Sequence, residues 1–216
     1  LSLTVTKHSF LVKDVNDLAD TLRQAFVLAR SGRPGPVLVD IPKDVQLAQV
    51  EYVAPCPLKA VHSHAAVMPE QQLQLARTLL SQASKPIAYI GGGVHMAGAL
   101  TELNDFLAHT GIPSVTTLKA MGSVDQNNPY YLSMLGMHGT QAANLAVQQT
   151  DLLICLGARF DDRVTGNLKK FAPDAKVIHI DIDPAEINKL RQADCAMIGD
   201  LRQLLPQMVT SVQCQA

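Results

Sequence analysis

The chain has 216 residues, a formal net charge of −1, 47% hydrophobic and 17% charged residues. That length can bury a sizeable core. The balanced charge, without a basic block, argues against nucleic-acid binding, because neutralising phosphates takes clustered Lys and Arg. No apolar run approaches the roughly 20 residues needed to span a bilayer, so no membrane role is expected.

The four cysteines, Cys56, Cys155, Cys195 and Cys214, are widely spaced and form no CxxC. This suits a reduced setting better than a disulfide framework, with Cys155 a small core residue. The opening at Leu1, without an initiator Met, is expected of a piece cut from something longer.

In the first stretch, Val15, Leu18, Leu22, Ala25, Phe26 and Ala29 recur at helical spacing, with Asp14 as a plausible N-cap. SGRPGP (31–36) stops that helix, with Gly32 just beyond its end. PVLVDIP (36–42) then has the composition of a short strand buried on both faces. One helix and one strand do not make a core, so this stretch is expected to be the tail of a larger domain. From Lys43 to Ala66 the pattern fades into a linker. His62 and His64 alternate there as metal ligands might be spaced, but no third ligand stands near them, and solvated linker histidines are the simpler expectation.

Beyond residue 67, strands and helices alternate. Pro69 suits a first helical turn, followed by Leu73, Ala76, Leu79 and Leu80 on one face. Strand KPIAYIGGG (85–93) ends in three glycines, and a helix carrying Leu100, Leu103, Phe106 and Leu107 follows. Strand PSVTTL (113–118), a long polar stretch and helix Gln141–Gln148 come next. Two short apolar runs, Leu152–Leu156 and Val177–Ile182, then flank a polar loop. Asp183, Pro184 and Glu186 have the spacing of a capping box. Strand Cys195–Ile198 leads through Gly199 and Asp200 into a helix with Leu204, Leu205, Met208 and Val212. The alternation predicts an α/β fold with a Rossmann-like parallel sheet of about six strands flanked by helices.

In such a sheet, ligands lie beyond the carboxyl ends of the strands. Gly91, Gly92 and Gly93 occupy one such end. They suit either a tight turn or a close approach of main chain to a phosphate; the run is not GxGxxG. Met134–Gly139 (MLGMHG) suits a loop laid against a flat ligand, or a plain connection. Arg159 and Arg163 bracket Asp161 and Asp162 at another strand end. Weak surface ion pairs are one reading; the planar forks of two arginines suit a pyrophosphate better. Asp181 and Asp183 end the next strand, where an acid can accept from ribose hydroxyls, although Asp183 also suits a cap. Together these features favour a dinucleotide site.

Four stretches carry a resemblance to a known family: GRPGPVLVDIPKDVQ (32–46), MLGMHGT (134–140), LGARFDDRVTG (156–166) and VIHIDIDPAEINK (177–189). In this order they resemble the large, catalytic subunits of acetolactate synthases, also called acetohydroxyacid synthases. The resemblance implies that residues 1–50 end the domain that binds the pyrimidine of thiamine diphosphate. Residues 51–66 would then be a linker, and 67–216 the central domain that holds FAD.

It further implies that Gly91, Gly92 and Gly93 face the FAD diphosphate and ribityl region, with Thr117 and Leu118 lining the same groove. Leu135, Gly136, Met137 and His138 would run beside the flavin. Gly157, Ala158, Arg159, Asp161, Arg163 and Val164 would bind on the diphosphate side, and Asp181, Ile182, Gly199 and Asp200 at the adenosine end. Lys7, Met137, His138, Asp162 and Arg163 would border the substrate channel.

No catalytic residue is expected in this piece. The Glu that activates thiamine diphosphate would lie before Leu1. The Gly-Asp-Gly…Asn motif for Mg²⁺ and the thiamine diphosphate would lie after Ala216; Gly199-Asp200-Leu201 lacks its pattern. The implied parent condenses two 2-keto acids with loss of CO₂, as a homodimer with a small regulatory subunit. It would be cytoplasmic in a bacterium and organellar in a eukaryote, with FAD required but not turned over. Two alternatives stay open: another thiamine-dependent carboligase such as a glyoxylate carboligase, against which DDRVTG (161–166) argues, and a non-catalytic ADP- or NAD-binding module.

Overall fold

The structure is a computed structural model and describes residues 2–51 and 69–209. Contacts divide the chain into two compact units, Leu1–Ala65 and Ala66–Ala216. His62, His64, Cys56, Cys214 and Val212 lie outside the described residues.

In the first unit, strand β1 (His8–Leu11) pairs in parallel with β2 (Val37–Asp40), and helix α1 (Leu18–Arg30) packs against both. A short helix, α2 (Lys43–Leu47), follows where the sequence pattern faded. Asp14 does act as a cap, but of a 3₁₀ turn at Val15–Asp17 that precedes α1. The expectation of a strand buried on both faces fails for β2, whose burial alternates and whose Leu38 is 43% exposed. The apolar face of α1 is likewise largely open: Ala25 is its buried residue, while Phe26 is 70% exposed. Among the described residues of this unit, two strands, α1 and the short α2 leave apolar side chains such as Phe26 and Leu38 exposed.

The second unit opens with α3 (Glu70–Gln82), followed by β3 (Pro86–Ile90), α4 (Gly93–Ala97), α5 (Leu100–Thr110) and β4 (Ser114–Thr116). The predicted single helix after the glycines is two, because Gly98 turns left-handed (φ +65°) and ends α4. Next come β5 (Tyr131–Met134), α6 (Gln141–Gln149), β6 (Leu152–Leu156), α7 (Asp162–Thr165), β7 (Lys176–Asp181), β8 (Cys195–Ile198) and α8 (Leu201–Val209). The six strands β3 to β8 form one parallel sheet in the order β5-β4-β3-β6-β7-β8. The fold is therefore α/β and Rossmann-like, as the alternation predicts.

Burial explains why these segments are strands. All five residues of β6 are buried, as expected of a central strand with both faces covered. Leu152, Ile154 and Leu156 face a core shared with α3, α5 and α8. Leu153 and Cys155 face a second core with α6, Phe160 and Phe171.

Two further differences from the sequence reading lie at β5 and after Asp183. β5 was not foreseen; it is an edge strand with an irregular register against β4, and Ser133 in it has φ +75°. The residues after Asp183 form successive turns instead of a capped helix. Asp183 Oδ1 does accept from the Ala185 N–H (3.0 Å), but Asn188 adopts φ +61° and reverses the chain before a helix can propagate. No helix among the described residues is long and apolar enough to cross a membrane.

Candidate functional site at the strand carboxyl ends

In chain order the six strands of the sheet lie as third, second, first, fourth, fifth, sixth. The order reverses between β3 and β6, which pair directly. At such a switch point the chain leaves the two strands toward opposite faces and opens a crevice. Val94 after β3 joins the first core, and Ala158 and Phe160 after β6 join the second. Gly91, Gly92, Gly93, Gly157, Ala158 and Arg159 are thus brought together at this point.

The glycines there are required by main chain packed on main chain. A Cβ on Gly91 would lie 2.2 Å from the Gly157 carbonyl oxygen, and one on Gly93 2.7 Å from Gly157 Cα. Gly157 itself has φ +56° and would press a Cβ to 2.8 Å from Gly93 Cα. The amides are engaged too: Gly91 N–H donates to Leu156 O and Gly93 N–H to Gly157 O, both at 3.0 Å, and Gly157 N–H to Ile180 O at 2.8 Å. Of the two sequence readings of this triplet, the tight turn accounts for Gly91 and Gly93. α4 has five residues, too few to make a helix-terminal anion site of its own. Gly92 differs, since a Cβ there would meet Lys119 Cβ at 2.9 Å.

The turn after β6 is held from below. His179 Nε2 lies 3.0 Å from the Ala158 carbonyl oxygen, and Tyr89 Oη donates to the Arg159 carbonyl at 2.7 Å. The Arg159 side chain, 47% exposed, bonds Asp161 Oδ2 at 2.9 Å. A pair this exposed adds little stability. The supposed loop then forms a helical turn: the Asp161 carbonyl accepts from Val164 and Thr165 N–H, each at 3.0 Å, so Asp162 and Arg163 stand exposed on α7.

The 134–140 segment reaches the same rim. Gly136 has φ +92°, and Asn144 of α6 grips both its amide (2.8 Å) and its carbonyl (3.0 Å). Met137 N–H donates to Arg163 O at 3.0 Å. Leu135 is buried, Val164 half-buried, and Met137 and His138 are exposed beside Asp162 and Arg163. Lys7 belongs to the other unit; its ammonium donates to Leu28 O (2.6 Å), Ser31 O and Ser31 Oγ (3.1 Å), at the carboxyl end of α1.

Thr117 and Leu118 do not end a strand, because β4 stops at Thr116. Thr117 N–H donates to Ile90 O at 2.9 Å, and Leu118 begins a 3₁₀ turn with 70% exposure. At the end of β7, partial burial pushes the Asp181 carboxyl above its ordinary 3.8. Its Oδ1 accepts from Asp183 N–H (2.9 Å), and its carbonyl accepts from Gly199 N–H (3.0 Å). Ile182 is 37% exposed. Asp200 heads α8, its Oδ1 accepting from Arg202 N–H at 2.9 Å.

Cys155 and Cys195 are fully buried free thiols; burial raises both, Cys195 to about 11, so neither is a nucleophile. Among the described residues no group of three or more His, Cys, Asp or Glu is placed to hold a metal. A cavity of about 730 Å³ lies elsewhere, between Asn104, Gly111 and Tyr130, beside the amino ends of β4 and β5.

Sequence reasoning missed Tyr89, Asn144 and His179. The signal for two of them was present, as a polar ring in the middle of an otherwise apolar strand, IAYI and VIHI.

Comparison with known proteins adds the family. Residues 73–208 match the model described as thiamine pyrophosphate enzyme, central domain. Among curated proteins, the chain is 56% identical over 208 residues to the acetolactate synthase isozyme 2 large subunit of Escherichia coli K12, covering 96% of this chain and 37% of that one. It is 47% identical over 214 residues to the acetolactate synthase large subunit of Corynebacterium glutamicum, covering 99% and 34%. To the acetolactate synthase of Arthrospira platensis it is 46% identical over 215 residues, covering 97% and 37%. The chain thus spans little more than a third of the length of these relatives. A six-stranded parallel sheet with its switch point at β3 and β6, matched along most of its length, means that the chain belongs to the thiamine pyrophosphate enzyme family, in its central domain.

Proposed function

We propose that this chain is the FAD-holding portion of an acetolactate synthase large subunit. The observation that carries the reading is 56% identity, across nearly the whole chain, to a protein of that name. The parent reaction joins two 2-keto acids with loss of CO₂, using thiamine diphosphate and Mg²⁺ held by segments other than this one. Residues 1–50 belong to the pyrimidine-binding domain, 51–66 to a linker and 67–216 to the flavin domain. The parent works as a homodimer with a small regulatory subunit, in the cytoplasm of a bacterium or in an organelle of a eukaryote.

The residues present fit a flavin dinucleotide. Gly91, Gly93 and Gly157 lack side chains, which keeps the switch point bare, and the exposed guanidinium groups of Arg159 and Arg163 border it. These arginines bind the diphosphate, whose planar oxygen pairs match their forks. Asp161 orients Arg159 through the 2.9 Å pair. Asp181, Ile182, Gly199 and Asp200 border the adenosine, Asp181 by accepting from a ribose hydroxyl. Leu135 to His138 run beside the flavin ring, Val164 lies on the diphosphate side, and Thr117 and Leu118 line the groove that the glycine triplet faces. Asp162 and Arg163, with Met137 and His138, border the substrate channel. Bound FAD supplies a flat, electron-accepting ring, which the parent reaction does not turn over.

Titration of the 216-residue chain with FAD, followed by flavin fluorescence, tests this reading against calorimetry with ADP. Saturable FAD binding is expected. Binding of ADP without FAD would refute the flavin reading in favour of a plain nucleotide module. The chain alone is expected to form no acetolactate from pyruvate, with or without thiamine diphosphate.

A further inference from the structure

We propose that Tyr89 and His179 are positioning residues of the nucleotide site: from the strands on either side of β6 they anchor the Ala158 and Arg159 carbonyls and so aim the Arg159 turn at the ligand. The inference rests on the nucleotide-site reading and concerns two residues that are not among the proposed contacts with FAD.

Tyr89, Cys155 and His179 are direct partners in one row across β3, β6 and β7. All three are buried, at 0%, 0% and 1% exposure. Cys155 is small, which leaves room above it. Phe160 fills that room, its ring 6.0 Å from Tyr89 and 5.5 Å from His179, between centroids. The two polar tips then take consecutive carbonyls, His179 Nε2 at Ala158 O and Tyr89 Oη at Arg159 O. The turn is held at three successive residues, by a hydrogen bond, a hydrogen bond and an aromatic plug.

Packing alone does not call for this choice. A phenolic hydroxyl and an imidazole are costly in an apolar layer unless they are hydrogen-bonded. A carbonyl can only accept, so Nε2 carries the proton. Nδ1 is then left buried with no partner, a cost that an apolar residue would not incur. Burial also lowers the basicity of the ring and keeps it neutral, with one proton to donate.

The consequence lies on the opposite side of the peptide planes. In a trans peptide the carbonyl of one residue and the N–H of the next point in opposite directions. With the Ala158 and Arg159 carbonyls turned toward Tyr89 and His179, the Arg159 and Phe160 N–H groups point away from those rings. Neither N–H has an acceptor among the described residues. Two adjacent amide donors beside a guanidinium are suited to an anionic oxygen of a diphosphate. The ring pair thus sets the direction of three donors it never touches.

The test uses the full chain with FAD and ADP as probes, and Tyr89→Phe, His179→Leu and His179→Gln as variants. Gln carries a donor near the Nε2 position and Leu carries none. Tyr89→Phe and His179→Leu are expected to weaken both probes about tenfold, the loss of one positioned hydrogen bond, and His179→Gln to recover most of the affinity. Asp151→Ala, which removes a carboxylate at the opposite end of the sheet, serves as a variant that lowers stability without touching this turn, and its affinities are expected to stay unchanged. FAD binding by Tyr89→Phe as tight as by the unaltered chain would overturn the inference alone, as would equal affinities of the Gln and Leu variants. Should Tyr89→Phe fail to fold at 10 °C, the Gln and Leu comparison decides. Failure of the unaltered chain to bind both FAD and ADP would overturn this inference together with the nucleotide-site reading beneath it.

Discussion

Replacing Gly91 with Ala places one methyl group where β3 and β6 release their chains toward opposite faces. The new Cβ would sit 2.2 Å from Gly157 O and 2.4 Å from Ala158 Cα, both main-chain atoms that cannot rotate away. Separating them to van der Waals contact takes a backbone shift of roughly 1 Å, and overpacking of this kind costs about 1–3 kcal/mol. The shift also stretches the Gly91–Leu156 and Gly93–Gly157 hydrogen bonds, both now 3.0 Å, each worth about 1 kcal/mol. A destabilisation of about 3–5 kcal/mol follows, equivalent to a melting temperature lower by about 10 °C for a chain of this size.

Gly98→Ala is the matched control. Gly98 has φ +65° but nothing within 4 Å of its would-be Cβ, so only the left-handed backbone opposes the change, at about 1 kcal/mol. Urea denaturation of both variants, followed by far-ultraviolet circular dichroism, measures the two costs. A Gly91→Ala variant within 1 kcal/mol of the unaltered chain, or a Gly98→Ala variant as unstable as Gly91→Ala, would refute the explanation by backbone crossing.

Asp151 accepts from the Ser84 (2.7 Å) and Lys85 (2.9 Å) amides, tying the turn before β3 to the start of β6. Asp151→Ala leaves both donors without this acceptor and is expected to lower stability by about 2 kcal/mol, read as a shift of the urea midpoint at unchanged slope. Stability is also expected to fall with acidification, because His179 is neutral in the fold and its basicity is lowered from the ordinary 6.5, chiefly by burial, against the opposing pull of the Ala158 carbonyl, Asp181 and Glu186. The unfolded chain takes up that proton first. The contribution is therefore whole above pH 6.5 and is lost as pH falls toward the lowered value, by at most about 1.4 kcal/mol per unit. Asp181, raised by burial, acts with the opposite sign: its penalty is relieved as pH falls through its raised value toward 3.8. Urea midpoints at pH 7.5 and 5.5 should differ for the unaltered chain and converge for His179→Gln; an equal pH slope in the two would remove His179 from the account.

What was legible from residues alone follows a physical division. The strands Pro86–Ile90, Leu152–Leu156 and Lys176–Asp181 are runs of β-branched and aliphatic residues, and such runs are strands because both faces of a parallel sheet need apolar side chains. The helices beginning at Glu70 and Gln141 carry apolar stripes at helical period, which only one buried face explains. Alternation of the two kinds of segment sufficed for the fold class, and the charged and glycine residues at strand ends supplied the candidate ligand site.

Other features depend on neighbours that no local pattern contains. β5 has no legible period because it is an edge strand of four half-buried residues whose register is broken at Ser133. The capping box at Asp183 has suitable side chains, but residues 182–194, which carry the chain from the end of β7 to Cys195 beside Ile178, run as turns, with Asn188 left-handed, and no helix forms. The glycine triplet suited a tight turn or a phosphate equally, and only the packing of β3 against β6 reveals a crossing of two main chains at which Gly91, Gly93 and Gly157 meet. Tyr89 and His179 lie 90 residues apart in sequence and meet the same turn only because β6 lies between their strands. Residue type and period determined which segments are strands and helices and which ends carry charge. Tertiary structure alone decided which backbone atoms those side chains hold, because a hydrogen bond across a sheet depends on strand order, and strand order is set by the packing of the whole domain.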